Sequence, residues 1–201
     1  PNGAGKTTSF YMIVGLIKPQ GGTIYIDKQD ITTFPMYMRA QNGIGYLAQE
    51  ASVFRKLSVE ENILSILELQ PIELDEQRSQ LEQLLTEFNI QSIRHQLGEN
   101  LSGGERRRVE IARTLAIKPK FILLDEPFAG IDPKTIHEIK SLLEQLRQSN
   151  IGVVITDHNV NETLSICDYC HIIHHGELIA SGTPSEVRNN PKAIEYYLGI
   201  N

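Results

Sequence analysis

The chain has 201 residues, enough for one large domain or two small lobes around a shared core. It is 40% apolar and 22% charged with a net charge of −6, a globular composition without the basic excess of a nucleic-acid coat. Its apolar runs are short, such as residues 121–124, far below the ~20 residues of a bilayer-spanning helix.

In chain order, the first stretch reads PNGAGKTTSF. Pro1 stands where a natural start carries Met, so the chain is expected to be the truncated form of a longer one. A helix is expected over 6–16, then a turn at Gln20, Gly21 and Gly22 and a strand over 23–27. Residues 44–47 form another apolar run. Ser58 and Glu61 have capping-box spacing, which starts a helix that Pro71 stops. Residues 75–88 carry apolar side chains at helical spacing. Ser102 and Glu105 form a second such start, for a helix to about 116. A buried strand follows at 120–124. Asp132 and Pro133 supply an N-cap and a first-turn proline for a helix to about 148. Residues 153–156 read as a second buried strand and 160–166 as a helix. Strands at 171–174 and 177–180 flank a His175–Gly176 hairpin turn, and Thr183 with Glu186 makes a third capping pattern. Short buried strands alternating with amphipathic helices predict a mostly parallel sheet covered on both faces. Residues 51–117 are nearly all helical and are expected to form their own lobe beside a core of 1–50 and 118–201.

The chemistry starts at the glycine loop. Gly3 and Gly5 let the backbone curl with N–H groups inward, around phosphate oxygens. Lys6 adds positive charge, Thr7 offers a hydroxyl to Mg2+, and the following helix aims its positive end at the same anion. A Mg2+–nucleotide enzyme also needs a carboxylate at the end of a buried strand. Asp125 is placed to hold the metal and Glu126 to polarise an attacking water. Ser102, Gly103, Gly104 and Glu105 open a helix with a second phosphate-binding corner. One nucleotide does not need two such corners in one chain. A head-to-tail homodimer uses both, with each nucleotide between two subunits.

Cys167, Cys170 and His171 fit C-x-x-C-H spacing, with His174 and His175 nearby. There is no second C-x-x-C, so two small side chains packed where a helix meets a strand are expected, rather than a haem or zinc site. Arg106, Arg107 and Arg108 are consecutive on a helix, about 100° apart, and so do not share one basic face.

These elements together resemble the nucleotide-binding domain of ATP-binding-cassette transporters, along the whole chain and in order. Residues 2–8 are similar to the Walker A loop, Gln49 to the Q-loop glutamine, and 101–105 to the LSGGE signature. Residues 122–126 are similar to Walker B, 129–132 to the D-loop, and His158 to the switch histidine. The resemblance implies a P-loop NTPase with a RecA-like, mostly parallel sheet, an inserted helical subdomain and a small antiparallel β portion. Upstream residues, including the first loop glycine and an adenine-stacking aromatic, would then be missing. It implies ATP and Mg2+ as ligands. The implied nucleotide-binding set is Asn2, Gly3, Ala4, Gly5, Lys6, Thr7, Thr8, Ser102, Gly103, Gly104 and Glu105. Glu126, His158 and Gln49 would be catalytic, and Thr7, Gln49 and Asp125 would face the metal.

Within the family the stretches GAGKTTSFYMIVGLIKP, GIGYLAQEASVFRKLSVEENI and LSGGERRRVEIARTLA resemble the ATPases of lipopolysaccharide export. Importers of branched-chain amino acids share the scaffold and are the alternative. A non-transport ATPase with the same signature, such as a DNA-repair enzyme, carries a long coiled coil that has no counterpart here. The resemblance implies no nucleic-acid partner and a place on the cytoplasmic face of the inner membrane. Two integral-membrane permease subunits would dock near Gln49, Phe54 and Arg55, with Glu60 and Glu61 near the edge. For Phe54 a core role is the alternative.

Overall fold

The computed structural model describes residues 3–195. Helix α1 (Lys6–Val14) starts at Gly5 and stops at Gly15, both with left-handed backbone, φ 101° and 87°. Gly15 N–H returns to the Tyr11 carbonyl, so the helix ends before the expected 16. Strands β1 (Tyr25–Ile26) and β2 (Gln29–Asp30) make a short antiparallel pair. The expected strand over 23–27 is cut to two residues, because Asp27 turns the chain at φ 53°.

Helix α2 (Met36–Gln41) lies where no helix is expected from periodicity. It is held by one side chain. Arg39 is 2% exposed, and its guanidinium donates to the carbonyls of Met12, Ile13, Thr32 and Phe34 at 2.6–2.8 Å. Two of those carbonyls belong to the last turn of α1. Arg39 thus closes α1, α2 and the intervening loop into one unit.

Strand β3 (Ile44–Leu47) leads to the helical region, α3 (Val59–Leu67), α4 (Leu74–Glu87) and α5 (Gly103–Leu115). Capping boxes at Ser58–Glu61 and Ser102–Glu105 start α3 and α5, as their spacing requires. Strand β4 (Phe121–Asp125) and α6 (Pro133–Gln148, capped by Asp132) precede β5 (Gly152–Thr156) and α7 (Val160–Leu164). The chain closes with the hairpin β6 (Cys170–His174) and β7 (Glu177–Gly182), α8 (Pro184–Arg188) and the short α9 (Pro191–Ala193).

The sheet order is β3–β4–β5, all parallel. Alternate residues of β4 point to opposite faces. Ile122 and Leu124 enter a large core shared by α3, α4, α5 and α6, whereas Leu123 joins Phe10, Val14, Ile31 and Ile44 on the other side. β5 departs from expectation. It is half-buried, with Val154 40% exposed, because among the described residues it has a ladder partner only in β4. The cysteines are free thiols. Cys170 is buried in a third cluster with Leu164, Ile172 and Val187, and Cys167 packs on it. Burial pushes the Cys167 thiol up to about 12, far from a reactive thiolate.

Arg39→Ala should lower stability by about 3 kcal/mol, because four carbonyls lose charge-assisted donors. Circular dichroism should then place the melting midpoint roughly 6–12 °C lower. A shift below about 2 °C would mean that water replaces these bonds at no cost.

Candidate active site

Gly3 and Gly5 sit at φ 78° and 101°, a region that side-chain-bearing residues rarely adopt. The loop is braced from outside, since Gly176 in the β6–β7 turn donates its N–H to the Ala4 carbonyl at 3.0 Å. No side chain caps α1, so its first N–H groups face the cavity in front of them. That cavity, about 320 Å³, is lined by Gly3, Ala4, Gly5, Lys6 and Thr7 together with Gln49 and Glu126. Thr8 is exposed on α1, and Asn2 lies outside the described residues.

Asp125 ends β4 and is 1% exposed. Its Oδ1 accepts hydrogen bonds from Thr156 Oγ1 at 2.5 Å and from Thr7 Oγ1 at 3.3 Å. The glycine loop, β4 and β5 therefore meet at one oxygen. Its charge and the burial of the ring push the Tyr46 hydroxyl up to about 12, burial being the larger cause.

Glu126 is the first residue past β4 and adopts left-handed backbone, φ 45°. Its N–H donates to the Thr156 carbonyl at 2.7 Å. The carboxylate, 11% exposed, meets three groups. Lys6 Nζ lies 3.8 Å from Oε1, Gln49 Nε2 donates to Oε2 at 3.1 Å, and His158 Nδ1 lies 3.3 Å from Oε2. The structure thus gathers Lys6, Gln49, Glu126 and His158 around one point, beside Thr7 and Asp125.

The 102–105 corner does not line this cavity. Ser102 Oγ donates to Glu105 Oε2 at 2.7 Å and accepts from the Glu105 N–H at 3.4 Å. A Cβ added at Gly103 would meet no atom of this chain within 4 Å, so internal packing does not demand glycine there.

Behind Gln49, helix α5 holds the chain through separate side chains. Arg107 Nη1 donates to the Ala48 carbonyl at 3.3 Å. Glu110 accepts the Ser52 and Val53 N–H groups at 2.6 and 3.2 Å. Burial pushes the Arg107 guanidinium down, and Glu110 partly offsets that. Arg106 instead donates to the Leu101 carbonyl and Arg108 to Glu138, so the three arginines serve three directions. Phe54 is not a core aromatic. It is 46% exposed, with the Arg113 guanidinium 4.7 Å above its ring. Glu60 and Glu61 are engaged within the helical region, by Arg94 and His95 and by Ser58 respectively.

Sequence reasoning missed Thr156 and Asp157. Neither type at a strand end is distinctive, and only the parallel register of β4 with β5, Asp125 opposite Thr156, brings them to the site.

Residues 1–129 match the ABC transporter family. The chain belongs to that family. Residues 177–200 of the cassette also match the branched-chain amino acid ATP-binding cassette transporter family. The cassette is 54% identical over 200 residues to the lipopolysaccharide export system ATP-binding protein LptB of Haemophilus influenzae, covering 99% of this chain and 83% of that one. Among solved structures it is similar to the ADP conformation of MJ1267, an ATP-binding cassette of an ABC transporter. That match has TM-score 0.86, 28% identity, and 99% and 85% of the two chains covered. It is also similar to a dimeric, post-hydrolysis structure of the cassette MJ0796 bound to ADP and Pi, with TM-score 0.78, 27% identity, and 92% and 82% covered. As a member of this family the cassette is an ATPase coupled to transport, and such cassettes dimerise and pair with membrane permeases. No helix among its described residues is long and apolar enough to cross a membrane.

Ser102→Ala should cost about 1 kcal/mol at neutral pH through the lost N-cap. The Ser102 bonds hold the Glu105 carboxyl below its ordinary 4.5. A depressed carboxylate stabilises above its unfolded value, and that contribution fades as pH falls through the folded value. The melting-point deficit of Ser102→Ala should therefore shrink between pH 7 and pH 3. An equal deficit at both would separate the cap from the Glu105 charge.

Proposed function

We propose that this cassette is the ATP-hydrolysing subunit that powers lipopolysaccharide extraction from the inner membrane towards the outer membrane. The carrying observation is 54% identity to LptB over nearly the whole chain. A second reading, a branched-chain amino acid importer, draws on the match at 177–200. That match spans the last eighth of the chain, roughly, and the LptB likeness spans 99% of it, so export is favoured.

In this reading Gly3, Ala4, Gly5, Lys6, Thr7 and Thr8, with Asn2 before them, hold the phosphates. Lys6 exchanges the Glu126 carboxylate for phosphate oxygens when ATP enters. That releases Glu126 Oε1, which then accepts a proton from the attacking water. Gln49 and His158 already touch the same carboxylate, so they orient the water and the terminal phosphate. Among the described residues no three His, Cys, Asp or Glu side chains group to hold a metal by themselves. The Thr7 hydroxyl and the Asp125 carboxylate are hard oxygen donors 3.3 Å apart, with Gln49 nearby, and they fit Mg2+ shared with phosphate oxygens. Mg2+ bound there neutralises phosphate charge.

Ser102, Gly103, Gly104 and Glu105 face the nucleotide of a second copy in an ATP-bound homodimer. The open space at Gly103 supports a close approach from outside the chain. Residues 51–117 act as a helical subdomain and 1–50 with 118–201 as the nucleotide core. A pair of lipopolysaccharide-export permease subunits docks near Gln49, Phe54 and Arg55, on the cytoplasmic face of the inner membrane. The exposure of Gln49, Phe54 and Arg55 supports that surface.

Glu126→Gln should cut hydrolysis by about 100-fold or more and trap an ATP-bound dimer on size exclusion. Undiminished turnover would remove Glu126 from the chemistry. Affinity purification from the native membrane should recover two different export permease subunits; recovery of amino-acid permeases instead would select the importer reading.

A further inference from the structure

Asp157 is used by none of the roles above, yet its side chain is 0% exposed. A fully buried carboxylate must have its oxygens hydrogen-bonded. Oδ2 accepts the backbone N–H of Phe128 at 2.9 Å, and Oδ1 accepts the backbone N–H of Asn159 at 2.8 Å. Phe128 lies two residues past Glu126, and Asn159 one residue past His158. Asp157 thus ties the chain just beyond Glu126 to the chain just beyond His158. His158 Nδ1 is itself 3.7 Å from Oδ1.

This bond is one of a series along the end of β5. Thr156 Oγ1 donates to Asp125, the Thr156 carbonyl accepts the Glu126 N–H, and Asp157 accepts the Phe128 N–H. The end of β4 and the chain just past it, at Asp125, Glu126 and Phe128, are therefore gripped by two residues, Thr156 at the end of β5 and Asp157 just past it. The middle one, Glu126, has φ 45°, and such a backbone persists only where its surroundings over-determine it. Thr156 fixes it from the N-terminal side. Among the described residues, the Asp157 side chain holds the backbone on the C-terminal side, at Phe128.

We propose that Asp157 is a positioning residue for ATP hydrolysis: it holds the Glu126 carboxylate and the His158 ring in one fixed relation by clamping the backbones that follow them. The proposal rests on Glu126 being the base. Asp157 does not line the cavity in front of the glycine loop, and acts through those two residues. An asparagine in its place has one acceptor oxygen for two N–H donors. One backbone is then released, and the strained Glu126 relaxes.

The test uses the intact cassette assembled with its membrane subunits. Asp157→Asn should lower kcat by roughly 10- to 100-fold, with KM for ATP unchanged within about threefold, as expected when only alignment in the transition state is lost. Asp157→Glu, which keeps two acceptor oxygens, should recover part of that loss. Glu126→Gln/Asp157→Asn should lose less than the product of the two single losses, because Asp157 then has only His158 left to position. If Glu126→Gln alone retains turnover, the reading of Glu126 falls and the proposal with it. If Glu126→Gln is inactive but Asp157→Asn keeps kcat within twofold, only the proposal falls. An equal loss in KM and kcat, or a further independent loss in the double variant, also overturns it. Failure of both Asp157 variants to fold would assign Asp157 to stability alone and reject the positioning role.

Discussion

A carboxylate buried to 1% exposure dictates much of this architecture. Asp125 cannot sit at the end of β4 as a bare charge, since burial without partners would cost several kcal/mol. Two hydroxyls, from Thr7 and Thr156, satisfy it. Each comes from a different element. The register that sets Asp125 opposite Thr156 brings β5 to the site, and the turn of α1 that carries Thr7 brings the glycine loop. A one-residue slip of β5 would turn Thr156 to the other face of the sheet and leave the charge unpaired.

Local chemistry made much of the fold legible. The three capping boxes, at Ser58, Ser102 and Thr183, start helices where their spacing demands, because each satisfies two backbone donors that a helix start otherwise leaves open. Asp132 with Pro133 works the same way. Less of the fold was readable where long-range contacts decide. Helix α2 exists because Arg39 finds four carbonyls, two of them in α1, and no periodicity announces that. The 23–27 strand ends at Asp27, one of the few residue types that tolerate left-handed backbone, and the chain turns there to pair with β2.

The candidate site divides similarly. Gly3, Gly5, Lys6, Thr7, Asp125 and Glu126 were readable because each type carries a distinct chemistry at a distinct place in the pattern, whereas Gln49 and His158 were readable only through the family resemblance. The structure sets them around one cavity and one carboxylate. The 102–105 corner was readable too, but it does not line this chain's cavity. Thr156 and Asp157 were invisible because their role is to hold other residues. Such groups reveal themselves only through burial and bond partners. The Arg106–Arg108 run illustrates the converse. Its density on paper implies a patch, whereas helical geometry sends its members to a carbonyl of the preceding loop, to Ala48 and to Glu138.

The way Arg39 closes α1 and α2 differs in kind from the way α3, α5 and α8 begin. A guanidinium stays charged at any pH a protein meets. The Glu61, Glu105 and Glu186 carboxyls sit below their ordinary range because of the Ser58, Ser102 and Thr183 bonds, and they surrender that advantage on protonation. Acid therefore acts unevenly on the molecule. The starts of α3, α5 and α8 loosen as pH falls through those depressed values, while the glycine loop's own helix keeps its Arg39 anchor. Below the ordinary carboxylate range, acid reaches helix starts in the helical region and in the nucleotide core alike, while the α1–α2 junction is untouched.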